Sequence, residues 1–227
     1  MESTLHSAEP VASRSWLDGA LARFAADNDD LAPRTRALLA SLVADPKRHA
    51  RMINTLSLLE HMGSHKIMAT QHAAAIAQAT LTHVAEEAHP AFVMKRPAEK
   101  TAGRALEYVA GDLLAPSSAR MYFQRLEGAT VRALGPRRST RAAYLYMSMI
   151  VEFRALWFYG LYEHALKRAK HVMSLKRVIG EEQAHLGDMA ERLEAGNELD
   201  ASRASQVLAA ERKLYSRFLG ALERAPA

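Results

Sequence analysis

The most apolar stretch of the chain, Ala142–Tyr162, carries Glu152 and Arg154 at its centre. It is about as long as a membrane span. A charge in the middle of a bilayer is costly, so the segment reads as a buried helix of a helical bundle. That reading demands partners for both charges, because an unpaired buried carboxylate costs several kcal/mol or takes up a proton. Residues 1–15 are polar, include Glu2 and Glu9, and lack the basic start and apolar core of a signal peptide. With no cysteine anywhere, disulfide scaffolds, cysteine zinc sites, cysteine-ligated iron–sulfur clusters and thiol nucleophiles are excluded. Both features fit a cytoplasmic protein.

Hydrophobic residues are 49% of the 227, and glycine and proline are sparse at 11 and 8. The expected class is all-α. Residues 1–15 are expected as a disordered tail and 16–227 as a single helical domain. Short helices over Trp16–Ala26 and Pro33–Val43 occupy the 16–45 region. Asp45-Pro46 is a helix start signal, leading into a helix over Lys47–Met68. A weak break at Thr70–Ala73 precedes a helix from Ala74 to about Lys95. Pro97 and Thr101–Gly103 loosen the chain, and Arg104–Val109 suits a turn or two of helix. Helices follow over Ala119–Leu134, Thr140 to about Leu166, and Ser174–Glu194. Asp200 caps a last helix over Ser202–Glu223, within a C-terminal 200–224 region. The order over 46–196 is hairpin, long connection, hairpin, which is the pattern of a four-helix bundle with one long crossover.

Two Glu-x-x-His motifs occur, Glu86-Glu87-Ala88-His89 and Glu182-Gln183-Ala184-His185. Positions i and i+3 share a helix face, so each pair converges on one point. A carboxylate and an imidazole suit iron or manganese. The spacing alone is weak; position strengthens it. Glu60 and Glu152 sit inside apolar helical runs, 26 and 30 residues before the first Glu of each motif. Folding each segment at its midpoint, near 73 and 167, brings Glu60 level with Glu86/His89 and Glu152 level with Glu182/His185.

On these six positions the chain resembles the ferritin-like di-iron carboxylate superfamily over about Pro46–Gly196. The resemblance implies a ferritin-like four-helix bundle with extra N-terminal and C-terminal helices. It implies Glu60 and Glu152 as single ligands, Glu86/His89 and Glu182/His185 as paired ligands, and Glu86 and Glu182 as bridges between two iron ions; manganese, or one ion of each, suits the same ligands. Pro90 departs from the pattern. It removes the N–H that would bond the Glu86 carbonyl, so the helix should kink, bulge or end there, and a bulge would exchange Glu87 for Glu86.

The resemblance implies an oxygen-activating oxidoreductase, in which O2 and two Fe(II) ions hydroxylate, N-oxygenate or desaturate a small organic substrate. The alternative is an iron-oxidising, iron-handling or peroxide-scavenging protein without organic substrate. Rubrerythrin-like proteins are set apart by their cysteine-rich iron domain. Gly63 and Ser64, one turn beyond Glu60, provide either close helix packing or room for dioxygen or substrate. Tyr159 reads as a core aromatic. His61 and His65 form an i, i+4 pair, while His72, His83 and His164 read as surface or network histidines. The net charge of +5 is modest. Arg137-Arg138, Lys167-Arg168-Lys170 and Lys176-Arg177 read as solvated charges, and nucleic acid is not an expected partner. The terminal amphipathic helices offer a surface for a homodimer.

Overall fold

A computed structural model describes residues 11–69, 78–136 and 138–226, with some side chains near the gaps left out. The expected tail over 1–10, the break at Thr70–Ala73, the helix start at Ala74, and residues His72 and Arg137 lie outside the described residues. So do the side chains of His83 and Glu87. What is described is all-helical: α1 Val11–Asp27, α2 Ala32–Ala44, α3 Pro46–Ala69, α4 Gln78–Ala102, α5 Pro116–Leu134, α6 Thr140–Arg168, α7 Lys176–Ala195 and α8 Ala201–Arg224. No described helix is long and apolar enough to cross a membrane. α1 begins five residues before the expected helical boundary at Trp16.

Local chemistry sets most helix ends. The Asp45 carboxylate accepts the backbone N–H groups of Lys47 and Arg48, and Asp200 those of Ser202 and Arg203; each satisfies donors that a helix start leaves open. Ser139 caps α6 through Ala142. Gly135 closes α5 at φ 76°, a conformation that glycine adopts without steric cost.

α4 differs from expectation. The helix runs unbroken through both Pro90 and Pro97 to Ala102. Packing against α3 holds it where its own hydrogen-bond ladder has gaps. Ser57 Oγ donates to the Ala91 carbonyl at 2.7 Å and Lys95 Nζ to Asn54 Oδ1 at 3.0 Å. These contacts make α3 and α4 antiparallel, with Glu60 level with Ala88.

The crossover also differs. Arg104–Val109 is irregular, and only Ala110–Asp112 forms a single 3₁₀ turn. Its backbone groups are taken by side chains instead. Asn54 Nδ2 donates to the carbonyls of Glu107 and Asp112, and Thr55 Oγ1 accepts the Leu114 N–H. Asp112 accepts the Glu107 N–H and pairs with Arg104 at 2.5 Å. The Arg104 bond, foremost, holds the Asp112 carboxyl down at about 2.

α6 pairs with α7, α5 with α8, and α2 lies across α6 and α3, while α1 covers α7 and α6. Buried apolar side chains from α1 to α8 join one core. α6 crosses that core with Glu152 at 4% and Arg154 at 5% exposure. Arg154 finds its partner on α8: Nε and Nη2 each donate to Glu211 at 2.8 Å. Nη2 also donates to Asn28 Oδ1, and the Tyr122 hydroxyl donates to Glu211. The rings of Tyr215, Phe24 and Trp157 surround the guanidinium. One ion pair thus joins the α1–α2 turn, α5, α6 and α8.

Removing one partner of a buried ion pair costs about 3–5 kcal/mol. Arg154→Met should lower the unfolding free energy by that amount in urea titrations, and Arg154→Met/Glu211→Met should recover most of it. A single-variant loss near zero would refute the network's role.

His49, at the start of α3, is 1% exposed and hydrogen-bonded to the Tyr162 hydroxyl at 2.5 Å, with the His171 ring 5.0 Å away. Burial, foremost, and His171 lower its pKa to about 4. The folded state therefore binds a proton less readily than the unfolded state. Stability from neutral His49 is complete above about pH 6.5 and declines as pH falls toward 4. Unfolding free energies measured across that window should slope more steeply in the wild type than in His49→Gln.

Candidate metal centre

Glu152 stands midway along α6, and Glu182 and His185 lie one turn apart on α7. The α6–α7 hairpin is pinned by Glu163, whose carboxylate accepts the Leu175 N–H at 2.7 Å and the Ser174 hydroxyl at 3.2 Å. That register brings one ligand atom from each of Glu152, Glu182 and His185 within 4.8 Å of one another. The two carboxylates are buried and the imidazole is partly so. Glu182 Oε2 lies 3.6 Å from His185 Nδ1. Among the described residues, Glu182 Oε1 is buried without a hydrogen-bond donor. Two buried carboxylates this close repel unless a cation or a proton lies between them. Two oxygen ligands and one nitrogen ligand fit iron or manganese.

Glu60 approaches the cluster from α3. It accepts a short hydrogen bond from the Tyr159 hydroxyl, which belongs to α6 two turns beyond Glu152. Burial, and then the charges of Glu60, Glu182 and Glu152 around it, push the Tyr159 phenol well above its ordinary pKa. Tyr159 is therefore a donor fixed among the carboxylates, beyond the core-aromatic role its sequence context suggests. An aromatic at this position has no sequence signal that separates the two roles.

The paired ligands expected on α4 lie elsewhere. Glu86 is exposed, and His89 Nδ1 sits 3.5 Å from Glu181 Oε2. Both line a groove between α4 and α7 that His185 also borders. Of the six expected ligands, the structure gathers three, sets Glu60 beside them through Tyr159, and leaves Glu86 and His89 on the outer side of His185. His61 and His65 are exposed and lie outside this cluster, with His61 stacked on Tyr108.

On the inner flank, Glu60 and Glu152 form part of the wall of a cavity of about 400 Å³ between α3, α5, α6 and α8. Leu56, Phe123, Met147 and Phe158 make much of its surface apolar. Gly63 lines it, and a Cβ there would meet nothing within 4 Å. Of the two roles weighed for this glycine, the space beside it accords with room rather than close packing. Lys66 and Glu127, bonded at 2.5 Å, bring a partly exposed ion pair to the wall.

Relieving the repulsion between the two carboxylates should stabilise the metal-free protein. Glu182→Gln is expected to raise the metal-free melting temperature, with a gain in unfolding free energy on the order of 1 kcal/mol, and to abolish any stabilisation by Fe(II) or Mn(II). A lower melting temperature without metal would show that the cluster is already neutralised by the protein.

No family model matches the chain, and no curated protein or solved structure matches it either.

Proposed function

We propose that this protein is an iron-dependent oxidoreductase of the ferritin-like di-iron kind, acting with O2 on a small apolar substrate. The convergence of Glu152, Glu182 and His185 beside an apolar cavity carries the reading. These three residues would hold one ion, with Glu60 adjoining them; Glu86 and His89, across His185, are the residues left to engage a second. Bound iron would supply the reduction of O2 and, with electrons from an external donor, the oxidation of a C–H or N–H bond.

The remaining roles belong to the chain. Tyr159 donates its proton in a hydrogen bond to Glu60 and fixes that carboxylate's orientation. Supporting bonds of this kind tune metal ligands. The aliphatic and aromatic cavity wall favours an uncharged, water-poor guest. Its volume lies within the usual range for small-molecule sites, and its position brings that guest against Glu60 and Glu152. The order of two helix hairpins joined by a crossover supports the ferritin-like reading. An iron-storage protein has no need of an apolar cavity beside its ligands, which favours the oxygenase reading over the iron-handling one.

Anaerobic Fe(II) titration of the wild type should reach about two irons per chain. Glu152→Ala and His185→Ala should each lose at least one while retaining the helical circular dichroism of the wild type. O2 uptake by the loaded wild type should be fast and accelerated by apolar organic compounds. Failure of the wild type to retain any iron at micromolar concentration would sink the proposal. Iron oxidation indifferent to every organic compound would move the protein to the iron-handling class.

A further inference from the structure

The turn joining α6 to α7 presents an unusual surface. Val172 is 90% exposed, the most exposed of the large apolar residues described, and Met173 beside it is half-buried. Around them stand Lys167, Arg168, Lys170, Lys176 and Arg177. His49 packs its ring on His171, so the start of α3, with exposed Lys47, lies at the same end of the bundle. Lys167 is engaged by Glu163 and Arg177 by Glu181. Among the described residues, Arg168, Lys170 and Lys176 have no acidic partner.

This presentation is built into the backbone. Lys170 holds φ 52° without being glycine. The His171 N–H bonds back to the Leu166 carbonyl at 2.9 Å and the Lys170 N–H to the Lys167 carbonyl at 3.0 Å, the closure of a helix end through a left-handed residue. The Met173 N–H donates to the ring of His171. Beyond the tip, Glu163 clamps Ser174 and Leu175, and Leu175 is fully buried. The chain is thus fixed on both sides of Val172, and the valine is held outward rather than left to fold back on the core.

We propose that this end of the bundle docks on an anionic lipid surface, with Val172 entering the headgroup region and the surrounding cations facing lipid phosphates. An apolar tip within a ring of cations matches both components of such a surface. Nucleic acid would satisfy the cations but not the valine, and the aromatic ring of the turn, His171, packs against buried His49 instead of offering a face on which bases stack. The proposal goes beyond the metal-centre reading and does not depend on it.

The test is co-sedimentation of the full chain with vesicles of phosphatidylcholine alone, or with phosphatidylglycerol as about a third of the lipid. Binding is expected only to the second and should be released by about 0.5 M NaCl, where surface charge is screened. Arg168→Gln/Lys170→Asn/Lys176→Gln removes three unpaired surface cations and should weaken binding on the order of a hundredfold. Val172→Ser should weaken it several-fold without altering the helical circular dichroism. Equal binding to both vesicles, or none to either, overturns the proposal. So does displacement of the vesicles by transfer RNA together with wild-type vesicle binding by Val172→Ser, a result that would assign the patch to nucleic acid. Should the triple variant fail to fold, the lipid and salt dependence of the wild type, with Val172→Ser, decides the question.

Discussion

Everything in this fold is arranged around two opposite charges buried two residues apart on one helix. Residues i and i+2 of a helix point about 200° from each other, so Glu152 and Arg154, which both border the α3–α5–α6–α8 cavity, meet different neighbours and need separate solutions. Arg154 is answered within the protein by Glu211, Asn28 and Tyr122. Glu152 is placed beside Glu182, a second acid, and His185. One side of α6 carries a charge paired across to α8; the other gathers two carboxylates and an imidazole, the group on which the proposed metal centre rests. α8, outside the hairpin pair, supplies the partner that lets α6 carry Arg154 through the core.

What the sequence disclosed follows from the range of the interactions involved. Asp45-Pro46, Asp200 and Gly135 act within a few residues, so the starts of α3 and α8 and the end of α5 were legible from local chemistry. Glu152, Glu182 and His185 were legible as well, because a carboxylate in an apolar run and an i, i+3 pair are patterns along the chain. Glu211 was not. It is one of two acids on an amphipathic helix, and only the arrival of Arg154, 57 positions away, distinguishes it. Glu60 and Tyr159 are 99 positions apart, and nothing along the sequence connects them.

The crossover and α4 show the opposite failure, in which a local rule was outweighed by packing. Two prolines argue for a helix end, yet α4 continues because α3 lies against it. Arg104–Val109 has helix-compatible residues, yet Asn54 and Thr55 claim the crossover's backbone groups. Ser57, Asn54 and Thr55 are all fully buried, and a polar run inside an apolar helix face is the trace such side-chain-to-backbone stapling leaves in a sequence.

His185 has a consequence of its own. It closes the carboxylate cluster from one flank and borders the groove between α4 and α7, whereas Glu152 borders the apolar cavity on the other flank. The centre therefore has two doors of different character. One is polar and lined by ionisable groups; the other is largely apolar. Under the proposed function, a molecule lodged in the cavity would leave the groove clear, so that ions and substrate would not compete for one passage.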